Sequence, residues 1–238
     1  MIDLRRMRTM RDKVAVVGIG ETDYAKDYRA GGATTERGVM GQYDSLGLAA
    51  RAFTRALADC GLKKDEIDGV ACAGPIAHER ICEVLGIDPR WGMQGDAGRC
   101  VQGAVQAISQ GWCSTVALVY GNAQRSIGTQ YGGPQAMGGE AILSYVYYAP
   151  WGMTSQGGLY SMMFRRHQLV YGTTSEQLAA IPEAFRKAAM LNENAVMQTP
   201  LTKEDYLNSR YIVEPLHLYD YCLINDGAVC LILTRAER

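Results

Sequence analysis

Val14-Ala-Val-Val-Gly-Ile-Gly20 is a short continuous apolar run, rich in β-branched residues and closed by glycine. A run without polar alternation is the pattern of a strand covered on both faces, so the chain opens as an α/β protein does. Outward from it the unit repeats. After a polar, Gly-rich stretch, Ala49, Ala52, Phe53, Ala56 and Leu57 fall on one helix face, and Cys60-Gly61 supplies a stop. Val70–Ala73 reads as a strand, Ala77–Leu85 as a short helix and Trp91–Gly95 as a further strand. Asp96–Gln110 is a small-residue helix with Val101, Ala104, Val105 and Ile108 apolar, and Ser114–Tyr120 is another buried strand. This alternation predicts right-handed crossovers and a mostly parallel sheet with helices on both faces.

From Gly121 to about Tyr171 the pattern gives way to a Gly-rich, aromatic-rich segment, too long for a simple connection and read as a lid or binding insertion. Thr174-Ser-Glu-Gln177 and Thr202-Lys-Glu-Asp205 carry the spacing of capped helix starts. Pro182 predicts a kink or a late start in the first of them. Gly227–Thr234 closes the chain as one more buried strand.

Composition narrows the function. The 238 residues carry 24 Lys+Arg against 25 Asp+Glu, a net charge of −1, so no basic excess recruits nucleic acid or an anionic membrane. Apolar runs fall far short of the roughly 20 residues of a membrane span. Met1–Lys13 is basic but precedes no signal-peptide core and reads as a flexible arm over 1–12. Seven cysteines, odd in number and without a Cys-x-x-Cys pair, fit neither a zinc site nor a disulfide framework and point to buried thiols in a reducing cytoplasm.

Chemical motifs are sparse. Gly18-Ile-Gly20 lacks the third glycine of a dinucleotide loop, and no Walker loop, His-Glu-x-x-His or Gly-x-Ser-x-Gly elbow occurs. His78, His167 and His217 lie far apart, and His167 belongs to a charged helix face. Tyr145, Tyr147 and Tyr148 cluster before Pro150-Trp-Gly-Met153 and are aromatics able to wall a pocket.

Together these residues resemble a family. Val14–Thr22, Ala107-Ile-Ser-Gln-Gly111, Pro150-Trp-Gly-Met153, Tyr171-Gly-Thr-Thr-Ser-Glu176, Pro200-Leu-Thr-Lys-Glu-Asp205 and Asn225-Asp-Gly-Ala228 stand in the order found in the thiolase superfamily, in its sterol-carrier-protein-type branch. The resemblance implies a layered αβα half with a five-stranded, mostly parallel sheet and an inserted loop domain. Residues 13–125 plus 211–238 would form the core and 126–210 the lid, with the family's C-terminal domain absent. It also implies action on acyl-CoA thioesters with no bound cofactor and no metal.

One departure is chemical. Counting back from Gly111 by the family's spacing, the position of the thiolase nucleophile falls on Gln94, in Gln94-Gly-Asp-Ala97, where no sulfur stands. Cys100 is six residues further on, about 9 Å along a helix and about 240° round it, the wrong place to substitute. A Claisen-type thiolase must hold its acyl group on a thiolate, which an amide cannot do. Retro-aldol cleavage of a β-hydroxyacyl-CoA needs no acyl-enzyme. The Cys-less aldolases of steroid side-chain degradation resemble this chain, and the resemblance implies an OB-fold, zinc-ribbon partner protein, a homodimer, and a second polypeptide carrying the missing half. Gln94 and Gly95 would floor the pocket, Trp151 and Met153 would wall it, and Asp96 and Tyr148 are the candidate catalytic groups. The alternatives are a conventional acetyl-CoA acyltransferase and a non-catalytic acyl-CoA-binding half or scaffold.

Overall fold

The structure is a computed structural model, and residues 10–30, 44–126, 147–153 and 156–238 are described. In chain order the elements are β1 (Val14–Glu21), α1 (Tyr24–Ala30), α2 (Ser45–Cys60), β2 (Gly69–Ala73), α3 (His78–Leu85), β3 (Trp91–Gly95), α4 (Ala97–Ser109) and β4 (Thr115–Ala123). They continue with α5 (Gln156–Tyr171), α6 (Ser175–Leu178), α7 (Ala180–Ala189), α8 (Lys203–Leu207), β5 (Tyr211–Val213), β6 (Leu216–His217) and β7 (Asp226–Arg235).

The chain divides into two compact units, Met1–Ile127 with Asn225–Arg238, and Gly128–Ile224. The segment 211–224, expected with the core, therefore belongs to the second unit, because β5 and β6 pair with each other and not with the large sheet. Residues 1–9 of the expected arm, residues 127–146 of the expected lid, and Tyr145 lie outside the described residues.

The first unit is built on a five-stranded sheet in the order β1-β7-β4-β2-β3. β2 pairs in parallel with β3 and β4, while β7 runs antiparallel to both β1 and β4. Only β7 runs against the other strands. α2 and α3 cover one face through Leu48, Ala52, Phe53, Ile81 and Leu85, packed on Val70, Val119 and Ile232. α4 covers the other through Cys100, Ala104, Ala107 and Ile108, packed on Ala71, Val116 and Leu233. The fully buried β2, Gly-Val-Ala-Cys-Ala, is the strand that both layers need.

Local chemistry explains the element ends. Gly18 and Gly20 let β1 lie against the backbone of α2: a Cβ on Gly18 would come within 2.5 Å of the Ala56 carbonyl oxygen, and one on Gly20 would overlap that of Ala52. This close packing is what the glycines serve. α2 begins where the Asp44 side chain accepts from the Gly47 amide and ends at Gly61, in the left-handed region at φ 71°.

In the second unit, Thr174 with Gln177 and Thr202 with Asp205 form the two expected capping boxes. Pro182 falls in the first turn of α7, just past the break at Ala179, where its missing N–H leaves no gap. The stretch expected as an irregular insertion contains α5, a 16-residue helix. Tyr206, fully buried, donates to Asp220 at 2.8 Å, and the His217 ring lies between the rings of Tyr206 and Tyr211, at 4.8 and 4.3 Å.

Candidate active site

In a parallel α/β layer the ligand-binding crevice lies beyond the carboxyl ends of the strands. Here those ends are Ala73 of β2, its partner Gly95 on β3 and its partner Tyr120 on β4. The β3–α4 turn carries three of the residues picked out in the sequence, Gln94, Gly95 and Asp96.

Asp96 is the N-cap of α4. Its Oδ1 accepts from the Arg99 amide at 3.0 Å and its Oδ2 pairs with Arg99 Nε at 3.0 Å. Both carboxylate oxygens are thus engaged in holding the turn. Gly95 is half-buried at the end of β3, and a Cβ built there meets nothing nearer than 3.9 Å, the Cys100 sulfur. Unlike Gly18 and Gly20, this glycine answers to no collision, since a Cβ there would sit in ordinary contact with Cys100, Arg99 and Met93. Gln94 departs from the expectation that it floors the same pocket. Side chains alternate along a strand, and Met93 faces α4, so Gln94 turns to the α3 face, where its Oε1 accepts from the His78 amide at 3.1 Å. The His78 ring contacts the Val70 carbonyl at 3.2 Å.

The thiols near the turn are quiet. Cys100 is fully buried, and its Sγ lies 3.4 Å from the Cys72 carbonyl oxygen. Burial and then the nearby Asp96 push its thiol above the ordinary value. Burial likewise pushes Cys72 and Cys113 up to about 11. A nucleophilic thiolate needs the opposite environment. Cys60, Cys72, Cys82, Cys100, Cys113 and Cys230 are free thiols, and among the described residues no group of three or more His, Cys, Asp and Glu is arranged to hold a metal ion.

Tyr120 is the residue at this end that the sequence reading passed over, taking it as the last residue of a buried strand. β4 in fact runs on to Ala123. The available signal was a lone phenol closing an aliphatic run, just before Gly121-Asn122.

The second unit holds the other picked residues. Trp151 and Met153, with Gly158, Ser161, Met162 and Val213, line a hollow of about 420 Å³. The Met153 amide donates to the Tyr148 carbonyl at 3.1 Å, which folds the 148–153 segment back on itself. Trp151 is 81% exposed and the Tyr148 side chain is also exposed. No described helix is long and apolar enough to cross a membrane.

Comparison with known proteins gives the lineage. No family model matches the chain. It is 32% identical to a steroid side-chain-cleaving aldolase of Thermomonospora curvata over 98% of this chain and 59% of that protein. It is also 32% identical to a 17-hydroxy-3-oxo-4-pregnene-20-carboxyl-CoA lyase of Mycobacterium tuberculosis, over 95% of this chain and 58% of the lyase. The solved structure of an Ltp2-ChsH2(DUF35) aldolase superposes with a TM-score of 0.79 at 28% identity, over 96% of this chain and 57% of that one. A monomeric SCP2-thiolase-like protein from Mycobacterium smegmatis shares the fold, with a TM-score of 0.66 at 18% identity, over 95% of this chain and 46% of that one. The chain thus spans a little under three-fifths of the length of the curated relatives it matches. By sequence the chain is related to this aldolase and this lyase, and its fold is the one that the SCP2-thiolase-like protein also has.

Proposed function

We propose that the chain is the N-terminal thiolase-like part of an acyl-CoA C–C lyase that cleaves a β-hydroxyacyl-CoA with a bulky, steroid-type side chain by a retro-aldol reaction. The observation that carries this reading is the β3–α4 turn. The similarity to a named aldolase and a named lyase spans 98% and 95% of the chain, and where an acyl-enzyme mechanism needs sulfur this turn carries Gln94, with Gly95 beside it.

The reaction balances without an acyl-enzyme or a redox cofactor. A base takes the β-hydroxyl proton, and that oxygen becomes a carbonyl as the Cα–Cβ bond breaks. The electron pair passes into the thioester as an enolate, which hydrogen-bond donors stabilise and a proton then quenches at carbon. A ketone or aldehyde and a shortened acyl-CoA leave. In this chain Gly95 gives the reacting end its room, and Asp96 fixes the turn rather than serving as the base. Tyr148, Trp151 and Met153 form a wall for the acyl group. The base comes from a C-terminal thiolase-like half, on a second polypeptide or further along the chain. A homodimer joined along the open edge of β3, an OB-fold, zinc-ribbon partner protein and a cytoplasmic location complete the proposal.

The test is to purify the protein from its source with every chain that stays bound to the 26.0 kDa species, identified by native mass spectrometry. The complex is then supplied with β-hydroxyacyl-CoA esters. Release of a carbonyl product with a shortened acyl-CoA is expected. CoA-dependent thiolysis of β-ketoacyl-CoA would favour the acyltransferase reading, and tight binding without turnover a non-catalytic half.

A further inference from the structure

We infer that Tyr120 is the residue of the first unit that donates a hydrogen bond to the thioester carbonyl of a bound acyl-CoA. This rests on the proposed acyl-CoA reading and extends it to a group that the reading does not use.

The argument begins with Gln124. Its amide donates to Asn122 Oδ1 at 3.0 Å, which fixes the Asn122 carboxamide with its nitrogen at the other end. That nitrogen donates to the Tyr120 phenol oxygen at 3.2 Å. The oxygen is therefore an acceptor towards Asn122, and its own proton points elsewhere, to no acceptor among the described residues. The ring is equally constrained. It lies over Gly74, where a Cβ would come within 2.5 Å of Tyr120 Cε2, and Gly74 adopts a φ of 78°, which an L side chain rarely allows. Gly74 follows β2 directly, so the ring crosses from β4 over the end of β2.

The place matters as much as the donor. Ala73 pairs with Tyr120 on one side and Gly95 on the other, which sets Gly95 two strand spacings, about 10 Å, from Tyr120. The ring spans the first spacing, over Gly74 at the end of β2, on the side of β4 where β3 and Gly95 lie. The Tyr120 ring packs with the cluster on the α4 face while the residue stays half-buried. A neutral O–H, pre-oriented by a second side chain at the end of an apolar wall, suits an oxygen that gains negative charge, as a thioester carbonyl does on becoming an enolate.

The experiment uses the protein as isolated, with its bound chains, and [1-¹³C]isobutyryl-CoA, which lacks the β-hydroxyl and cannot be cleaved. Isotope-edited infrared spectroscopy should show the carbonyl band of the bound probe below that of the free probe. In Tyr120→Phe, which keeps the ring on Gly74, the bound band should return to the free position with the probe still bound. Replacing Tyr120 by a fluorotyrosine, a stronger donor, should lower the band beyond wild type. With a β-hydroxyacyl-CoA, Tyr120→Phe should lower kcat by about 10²-fold with KM little changed, the loss expected for one oxyanion donor. A probe that does not bind, or a band that is the same in wild type and Tyr120→Phe, overturns the inference. Cleavage by Tyr120→Phe at the wild-type rate overturns it while leaving the lyase reading intact. A Tyr120-dependent band without any cleavage upholds it and overturns the lyase reading instead.

Discussion

Gly20 sits where β1 and α2 touch backbone to backbone, and its missing side chain sets their separation. A methyl there would meet the Ala52 carbonyl and the Ala56 amide, neither of which can swing aside. Gly20→Ala is expected to destabilise the protein by about 1–3 kcal/mol, the usual cost of overpacking, seen as a lower urea midpoint. Gly95→Ala is the contrast, because its Cβ has room. Stability should hold within about 0.5 kcal/mol, the range of changes that disturb no packing, while turnover of a bulky acyl-CoA falls. The buried thiols carry a pH signature. Burial pushes Cys72 and Cys113 up to about 11 from an ordinary 9.0, so the folded state holds these protons more tightly than the unfolded chain does. That stabilisation is complete below pH 9 and is lost as the pH rises to about 11. Urea midpoints measured between these limits should fall, and less steeply in Cys113→Ala. Of the candidate site, Asp96 is an N-cap, the common use of an Asp between a strand and an apolar-periodic helix, although the sequence also offers it as a catalytic group. The direction of Gln94 was not legible. Which face a strand side chain takes depends on the helix laid against it, and here the amide at the start of α3 claims the Gln94 carboxamide.

Among the elements, short helices depend most on their ends. α8 has five residues, and its start is held by Thr202 Oγ1, which accepts from the Asp205 amide at 3.1 Å, and by Asp205 Oδ2, which accepts from the Thr202 amide at 2.9 Å. Thr202→Ala should cost about 1 kcal/mol and raise hydrogen exchange in α8 ahead of the large sheet. This box and its counterpart at Thr174 could be read directly, because capping is a local code of hydroxyl and acid or amide at fixed spacing. α5 could not. Its polar Arg165, Arg166, His167 and Gln168 are consecutive and so run once round the helix, with Arg166 falling among Met162, Met163, Leu169 and Val170, which blurs the 3.6-residue signal. The strands fell between these cases. β2, β4 and β7 were clear from unbroken apolar runs, whereas β3, Trp-Gly-Met-Gln-Gly, is a strand chiefly because β2 offers it a partner.

At the scale of the whole molecule, each unit leaves large apolar side chains exposed. In the first, Ile19 on β1 is 57% exposed, with Val16 and Val17 beside it. In the second, Leu191 is 90% exposed and Phe185 on α7 is also open. Such patches mark surfaces that another chain or domain covers. The chain prepared alone is expected to bind an apolar dye and to elute above its 26.0 kDa mass in light scattering. Adding a complementary C-terminal thiolase-like half should reduce both effects. The α/β class was legible from the alternation of runs, but the place of the last strand was not, since nothing in Gly227–Thr234 says which strands will flank it.

That place has a consequence in time. β7 lies between β1 and β4, and its register joins Val14 to Arg235. β1 is therefore made long before β7, its partner in the sheet, and waits unpaired while the residues between them are synthesised. β2, β3 and β4 can associate early, yet the sheet closes only when β7 arrives. The nascent chain thus carries an unpaired, β-branched strand over that interval, the period in which a chaperone or a neighbouring nascent copy would find it.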